Sequence, residues 1–512
     1  MSEDVIPVVL YSISAAALLY VIRTRRHEIL VRKSGLDLKG SADSSPSRVR
    51  GVSADHIVAL EKSDKGALIE HPRRQALKTD FVGFSTMQRK LILVMVGLPA
   101  RGKSYIVKML IRYLTWTGIS AKVFNVGDFR RKLGLSGVDK SFFEANNAEA
   151  QKTRESMAAQ VLDEAYEWLS AGGEDEPRVA LFDATNTTRA RRATLLTRNR
   201  QETNATLLFV ESICDDEEIL HRNYSMKLQN NDYKGMDPAV ALADFMQRVK
   251  AYEAVYEELG DDEDDGNISY IKVYNVGRKV VTRNTTGYIP SQIAFYLQNI
   301  HIEPRKIWLT RHAESLDQVN NILGRDSGDL TDAGRQYCLM LTRFIKAQQE
   351  KVMGTGHEVL ILAGTQQVHN ATIEHLQLIY PCVSTPLLNE LRGGDLDGID
   401  RTQLKALFPE VWEGRMHDKL NYRYPGAGGE SYADVIQRIR PIIVELERQR
   451  RSVLVVSHLA VQRCLYGYFM GTAMSEIPYL DLPKHVVIEL TPGPFGTTEK
   501  AIPLFERGDL TE

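Results

Sequence analysis

Leu91-Ile92-Leu93-Val94-Met95-Val96 is a continuous apolar run that leads straight into Gly97-Leu98-Pro99-Ala100-Arg101-Gly102-Lys103-Ser104. An uninterrupted apolar run of this length reads as a strand buried on both faces, which belongs in a parallel sheet. The loop after it matches G-x-x-x-x-G-K-[ST] at every fixed position. Ile106, Leu110 and Leu114, spaced four apart, predict a helix directly behind it. Strand, glycine loop and helix in that order restrict this part of the chain to a P-loop α/β unit; a merely structural glycine turn would leave the order unexplained. The glycines let backbone N–H groups wrap a phosphate. Lys103 would reach the β- and γ-phosphates of ATP, and Ser104 would hold Mg²⁺. Gly97, Ala100, Arg101, Gly102, Lys103 and Ser104 make up this expected phosphate- and metal-binding loop.

Other strand ends carry further candidates. Val179-Ala180-Leu181-Phe182 ends at Asp183. A carboxylate there can bind Mg²⁺ or accept a proton from an attacking hydroxyl, or it can simply cap the arginine-rich helix that begins near Arg189. The segment 121–126 reads as a strand and leads into Gly127-Asp128-Phe129-Arg130-Arg131. Two arginines at a strand end suit an anionic second substrate, although arginines are more often solvated surface charges. Met157, Val161, Ala165 and Leu169 predict an amphipathic helix over 154–170, closed by Gly172-Gly173. The acidic run Asp261 to Asp265 is expected to be a solvated loop.

The pattern restarts after Pro304. Lys306-Ile307-Trp308-Leu309 reads as a strand ending in Thr310-Arg311-His312, and Ser452 to Val456 as another ending in Ser457-His458. Paired histidines and an arginine at strand ends suggest phosphoryl transfer through a phosphohistidine, with the cations neutralising developing charge.

Two features lie outside both units. Val5 to Ile22 carries no charge and spans about 27 Å as a helix, with Arg23, Arg25 and Arg26 behind it. It reads as a membrane anchor with the rest of the chain in the cytoplasm. A buried or interfacial helix, or an artefact of the gene model, are the other readings. Residues 27–85 are Ser-, Lys-, Arg- and Gly-rich and read as a flexible linker; within them Arg48-Val49-Arg50-Gly51-Val52-Ser53 could be read by a kinase. The net charge of −2 gives no bias toward nucleic acid. The four cysteines form no Cys-x-x-Cys pair, which argues against zinc and suits a reducing compartment.

Several long motifs in order carry a resemblance: Gly97 to Tyr105, Val123 to Arg131, Phe182 to Arg189, Glu211 to Asp216, Asp232-Tyr233-Lys234 and Ile271 to Arg278 in the first half. Arg311 to Ser315, Asp326-Ser327-Gly328, Tyr422 to Cys464 and Leu490-Thr491-Pro492 continue it in the second. Over about 85–495 the chain resembles the bifunctional 6-phosphofructo-2-kinase/fructose-2,6-bisphosphatase family. The resemblance implies a mainly parallel P-loop kinase domain at 86–300, a phosphoglycerate-mutase-like histidine phosphatase domain at 301–495, and a tail at 496–512. It implies MgATP as co-substrate, fructose 6-phosphate and fructose 2,6-bisphosphate as ligands, and admits a homodimer. Lys103, Asp183 and Lys227 would act on the transferring phosphoryl group; Arg131, Arg154, Thr187, Arg248 and Tyr252 would hold the sugar phosphate. In the phosphatase half, His312 would be the nucleophile and Glu390 the general acid, beside His458. Arg311, Arg415, Lys419, Tyr432 and Arg463 fall on substrate-binding positions.

The second half also departs from the family pattern. R-H-G-E is here Arg311-His312-Ala313-Glu314. An asparagine has become Gln318, an arginine Ile322, and a glutamine Leu459. The strand that ends T-S-x-L-K-R is here Ala363 to Val368, without its arginine. Each lost clamp commonly costs 10²–10³ in rate. The expectation is a kinase with a weak or inactive phosphatase half. A fully bifunctional enzyme, a catalytically silent anchored metabolite sensor, and a kinase for another sugar phosphate or nucleotide are the competing readings.

Overall fold

A computed structural model describes residues 90–504, apart from 136–139, 144–146, 174–175, 203–204, 229–231, 325–326, 353–357 and 495. The anchor and linker readings at 1–85, the basic-Ser string at 48–53 and Asp326 lie outside the described residues. Among the described residues the strands form two six-stranded sheets.

The first sheet is built from β1 (Lys90–Val96), β2 (Ser120–Asn125), β3 (Arg178–Asp183), β4 (Thr206–Ile213), β5 (Tyr270–Tyr274) and β6 (Lys279–Arg283), in the order β2-β3-β1-β4-β5-β6. All neighbours are parallel except β5 with β6. Residues 91–96 are fully buried, as a central strand covered on both faces requires. The helices on its faces are α1 (Lys103–Trp116), α2 (Val126–Lys132), α3 (Ala148–Ser170), α4 (Arg189–Gln201), α5 (Glu217–Lys227), α6 (Pro238–Glu253) and α7 (Tyr288–Asn299). The helix expected at 154–170 starts six residues earlier, because the Asn147 side chain accepts from the Ala150 N–H and caps it there. The strand expected to reach residue 126 stops at Asn125, whose side-chain Oδ1 accepts from Asp128 N–H and starts α2.

The second sheet uses β7 (Ile307–Arg311), β8 (Leu360–Ala363), β9 (Cys382–Ser384), β10 (Val453–Ser457), β11 (Val486–Gly493) and β12 (Gly496–Pro503), in the order β12-β11-β7-β10-β8-β9. β7, β10, β8 and β9 are parallel, and β11 and β12 add an antiparallel edge. Around it lie α8 (Asp332–Val352), α9 (Gln367–Ile373), α10 (Pro409–His417), α11 (Tyr432–Arg448) and α12 (Leu459–Met470). Both sheets are thus of the expected α/β class.

One apolar cluster runs through both halves, from α1 and α7 to α11 and α12. A buried polar network crosses the same interface. Glu447 on α11 is 1% exposed and pairs with Arg112 of α1 at 2.5 Å and with Arg305 at 2.8 Å. Its neighbour Tyr468 donates to it at 2.7 Å, and Trp116 Nε1–H donates to the Cys464 carbonyl at 2.9 Å.

The acidic loop is solvated at Asp261, Asp262 and Asp265, as expected, and departs from that expectation at Glu263. Glu263 is buried and receives the Arg192 guanidinium at 2.6 and 2.8 Å, while Asp262 pairs with Arg189 and Asp264 with Arg200. The arginine-rich face of α4 and this loop neutralise one another.

Candidate functional site

The P-loop hangs between β1 and α1. Gly97 has φ 131°, and a Cβ there would lie 2.6 Å from the Ser212 carbonyl oxygen, so only glycine fits. Its N–H donates to the Thr185 carbonyl at 2.9 Å, tying the loop to the turn after β3. Lys103 folds its Nζ onto the carbonyls of Gly97 and Leu98, both at 2.7 Å. Ala100, Gly102, Lys103, Ser104, Asp183 and Lys227 all line one cavity of about 1180 Å³. Burial lowers the Lys103 ammonium to about 7, against the opposing pull of Asp183; Lys227 and Arg101 lower it further. Burial likewise raises the Asp183 carboxyl, against Lys103 and Lys227, and lowers Lys227. Three titratable groups pressed together in this way mark a site built for a charged ligand.

Asp183 is held at the end of β3 by Asn125 Nδ2–H, which donates to it at 2.7 Å from the end of the adjacent β2. The alternative of a helix cap does not hold: Thr188, not Asp183, caps α4. Ser104 and Asp183 would share Mg²⁺ with nucleotide phosphates. The chemistry fits, because Mg²⁺ prefers a hydroxyl or carboxylate with phosphate oxygens and water to an all-protein cage. Among the described residues no cluster of three metal-ligating side chains exists.

Two of the predicted ATP-site residues do not line this cavity. Gly97 shapes the loop from behind. The Arg101 guanidinium turns away, donating to Tyr224 at 2.9 Å and pairing with Glu253 at 3.0 Å. The side chain anchors the loop to α5 and α6, which leaves only the Arg101 backbone to face a nucleotide.

The sugar-phosphate candidates Arg131, Arg154, Thr187, Arg248 and Tyr252 converge on the same cavity. Asp232 organises their cations. It receives Arg130 at 2.7 and 2.8 Å, Arg131 at 3.3 Å and Arg248 at 3.8 Å. Phe143 stacks under Arg248, with the guanidinium 3.8 Å from the ring centroid. Arg130 is thereby consumed as a buried structural partner, while Arg131 stays partly exposed. Sequence reasoning missed Arg191. It lines the cavity and is aimed by its Nε–H donating to Asn186 at 2.9 Å. Its place three residues after the helix cap Thr188, beside a strand-end acid, was the available signal.

In the second half, parallel pairing puts Ser457 opposite Arg311, so the residues that follow meet. The rings of His312 and His458 are 4.3 Å apart between centroids. His312 Nδ1 lies 2.7 Å from the Ala313 carbonyl, which leaves Nε2 for a reaction. Burial, then His458, holds His312 far below its ordinary pKa, so it is the neutral imidazole a nucleophile requires. His458 Nδ1 lies 3.1 Å from Glu390. Burial would raise Glu390, but His458 and then Arg401 pull it well below the usual carboxylate range.

The substrate-binding candidates gather nearby. Arg463 donates to Tyr432 at 2.9 Å and to the Leu480 carbonyl at 2.6 Å. Lys419 donates to the Pro478 carbonyl at 2.6 Å, and burial with Arg463 and Arg415 lowers it to about 8. Arg311 faces Glu390 and Arg463 electrostatically. Val368, at the lost arginine, is 3% exposed and packs into the apolar core with Trp308 and Val456.

A P-loop phosphotransferase joined to a histidine-phosphatase fold is the class that these two sites define. The family model for 6-phosphofructo-2-kinase matches residues 79–304, and that for the histidine phosphatase superfamily (branch 1) matches 307–502. The 6-phosphofructo-2-kinase/fructose-2,6-bisphosphatase of Aquarana catesbeiana is 42% identical over 416 residues, covering 80% of this chain and 84% of that one. Its counterpart in Caenorhabditis elegans is 40% identical over 457 residues, covering 87% and 96%. The 6-phosphofructo-2-kinase 1 of Saccharomyces cerevisiae is 38% identical over 485 residues, covering 87% of this chain and 57% of that one. The chain belongs to the 6-phosphofructo-2-kinase/fructose-2,6-bisphosphatase family.

Proposed function

We propose that the first half transfers the γ-phosphate of MgATP to the 2-hydroxyl of fructose 6-phosphate, and that the second half binds the product, fructose 2,6-bisphosphate, and hydrolyses it weakly. The observation that carries the first reading is the meeting of Lys103, Asp183 and Lys227 with an arginine cluster in one cavity. Asp183 orients the attacking hydroxyl. Lys103 and Lys227 neutralise charge on the phosphoryl group as it moves. Arg131, Arg154, Arg191 and Arg248 suit a dianionic 6-phosphate, which guanidinium forks grip best.

In the second half, Nε2 of His312 attacks the phosphorus of the 2-phosphate. The N–P bond forms as the P–O bond to the sugar breaks. The leaving oxygen takes the proton that the Glu390–His458 pair shares. Water then releases inorganic phosphate from His312 and returns a proton to the pair. The loss of two arginines of the family pattern supports slow hydrolysis.

The test supplies the full chain with MgATP and fructose 6-phosphate and follows fructose 2,6-bisphosphate. Product formation that Asp183→Asn reduces at least 100-fold is expected. No product from the unaltered chain sinks the reading.

A further inference from the structure

His369 sits inside the cluster formed by His312 and His458. It lies on α9, is wholly buried, and neither ring nitrogen has a hydrogen-bond partner among the described residues. Its ring centroid is 4.6 Å from that of His458 and 6.1 Å from that of His312. Gly364 makes room for it, because a Cβ there would come within 2.4 Å of the imidazole. A buried polar ring without partners is destabilising, and a ligand oxygen at this spot would relieve that.

An exposed arginine, Arg401, lies near the segment that carries Ile322. Ile322, which stands where the family pattern has arginine, forms an antiparallel bridge with Asp400, and the Arg401 N–H donates to the Asn321 carbonyl at 2.9 Å. Arg401 thus follows directly on the residue paired with Ile322 and stands opposite Asn321. Arg401 acts electrostatically on both Glu390 and Arg311, the two charges that flank His312 and His458.

We propose that the phosphatase half grips its phosphoryl group through His369 from inside and Arg401 from the rim, in place of the two lost arginines. His369 offers a ring N–H to a phosphoryl oxygen next to the attacked phosphorus. Arg401 supplies the positive charge that Ile322 no longer carries. The inference rests on the reading that this half binds and hydrolyses fructose 2,6-bisphosphate. One neutral donor and one exposed cation make a weaker clamp than two arginines, in keeping with slow turnover.

The experiment gives the full chain fructose 2,6-bisphosphate without nucleotide and follows phosphate release. His369→Phe and Arg401→Ala should each lower kcat/KM about 10- to 1000-fold. His369→Gln and Arg401→Lys, which keep a donor or a charge, should recover most of the loss. Melting temperatures taken in parallel separate misfolding from lost contacts. If both truncations stay within twofold of the unaltered chain while His312→Ala abolishes release, the clamp is wrong and the phosphatase reading survives. If the unaltered chain releases no phosphate, the phosphatase reading falls and the clamp falls with it.

Discussion

Arg130 and Arg131 are adjacent, identical in chemistry and bound to the same carboxylate, yet removing them should have opposite consequences. The Arg130 side chain is 5% exposed and Asp232 6%. Breaking a buried, doubly hydrogen-bonded pair by removing one partner costs about 3–5 kcal/mol. At about 2–4 °C per kcal/mol for a domain of this kind, Arg130→Ala should lower the melting temperature by roughly 6–20 °C. Arg131 is 26% exposed and pairs with Asp232 at a longer 3.3 Å, so its contribution to stability is screened and should stay below about 1 kcal/mol. Its other terminal nitrogen pairs with the exposed Asp128, and the side chain lines the cavity. A charged hydrogen bond to a sugar phosphate is worth about 1.5–3 kcal/mol, so Arg131→Ala should raise KM for fructose 6-phosphate about 10- to 100-fold. Calorimetric melting with steady-state kinetics on both variants decides the matter. If Arg131→Ala melts as early as Arg130→Ala, or if its KM is unchanged, the division of labour at Asp232 is wrong.

Two further outcomes follow from the buried charges. Lys103, lowered to about 7 by burial in the nucleotide-free site, should regain its proton when phosphates arrive. ATP binding should therefore take up a proton above pH 7 and weaken as pH rises, which calorimetric titration in buffers of different ionisation enthalpy measures; a proton uptake of zero at pH 8 would refute it. The sign for stability is the reverse: a lysine lowered on folding makes the free protein more stable as pH climbs from about 7 toward its unfolded value. Glu447→Ala strands Arg112 and Arg305 in the interface between the halves. It should cost about 3–5 kcal/mol, seen as a lower melting temperature by calorimetry, and a melt indistinguishable from the unaltered chain would contradict this.

The P-loop, the strand ends and the His312–His458 pair were legible because each depends on a short, fixed spacing. Asp183 and His458 needed only the end of an apolar run to be placed. Arg130 was not legible: its partner Asp232 lies 102 residues away, and nothing near Arg130 announces that it is already spent. The burial of Glu263 escaped for the same reason, since the Arg192 that neutralises it lies on α4, some seventy residues earlier. His369 escaped notice because the segment around it was judged by the arginine it lacks. Only the packing of α9 against β10 shows that an imidazole reaches the cluster.

Helix α1 begins at the phosphate loop and ends against α12, the helix whose first turn follows His458. One rod of fourteen residues is therefore a wall of both halves. A lineage that gave up hydrolysis could not also discard the domain that performed it, because Trp116, Tyr113 and Tyr296 would then face water. Selection for the kinase alone would preserve the neighbouring fold, while leaving its pocket free to drift. A residue such as Val368, sealed into the core beside Trp308 and Val456, is the kind of position such selection would hold for packing alone.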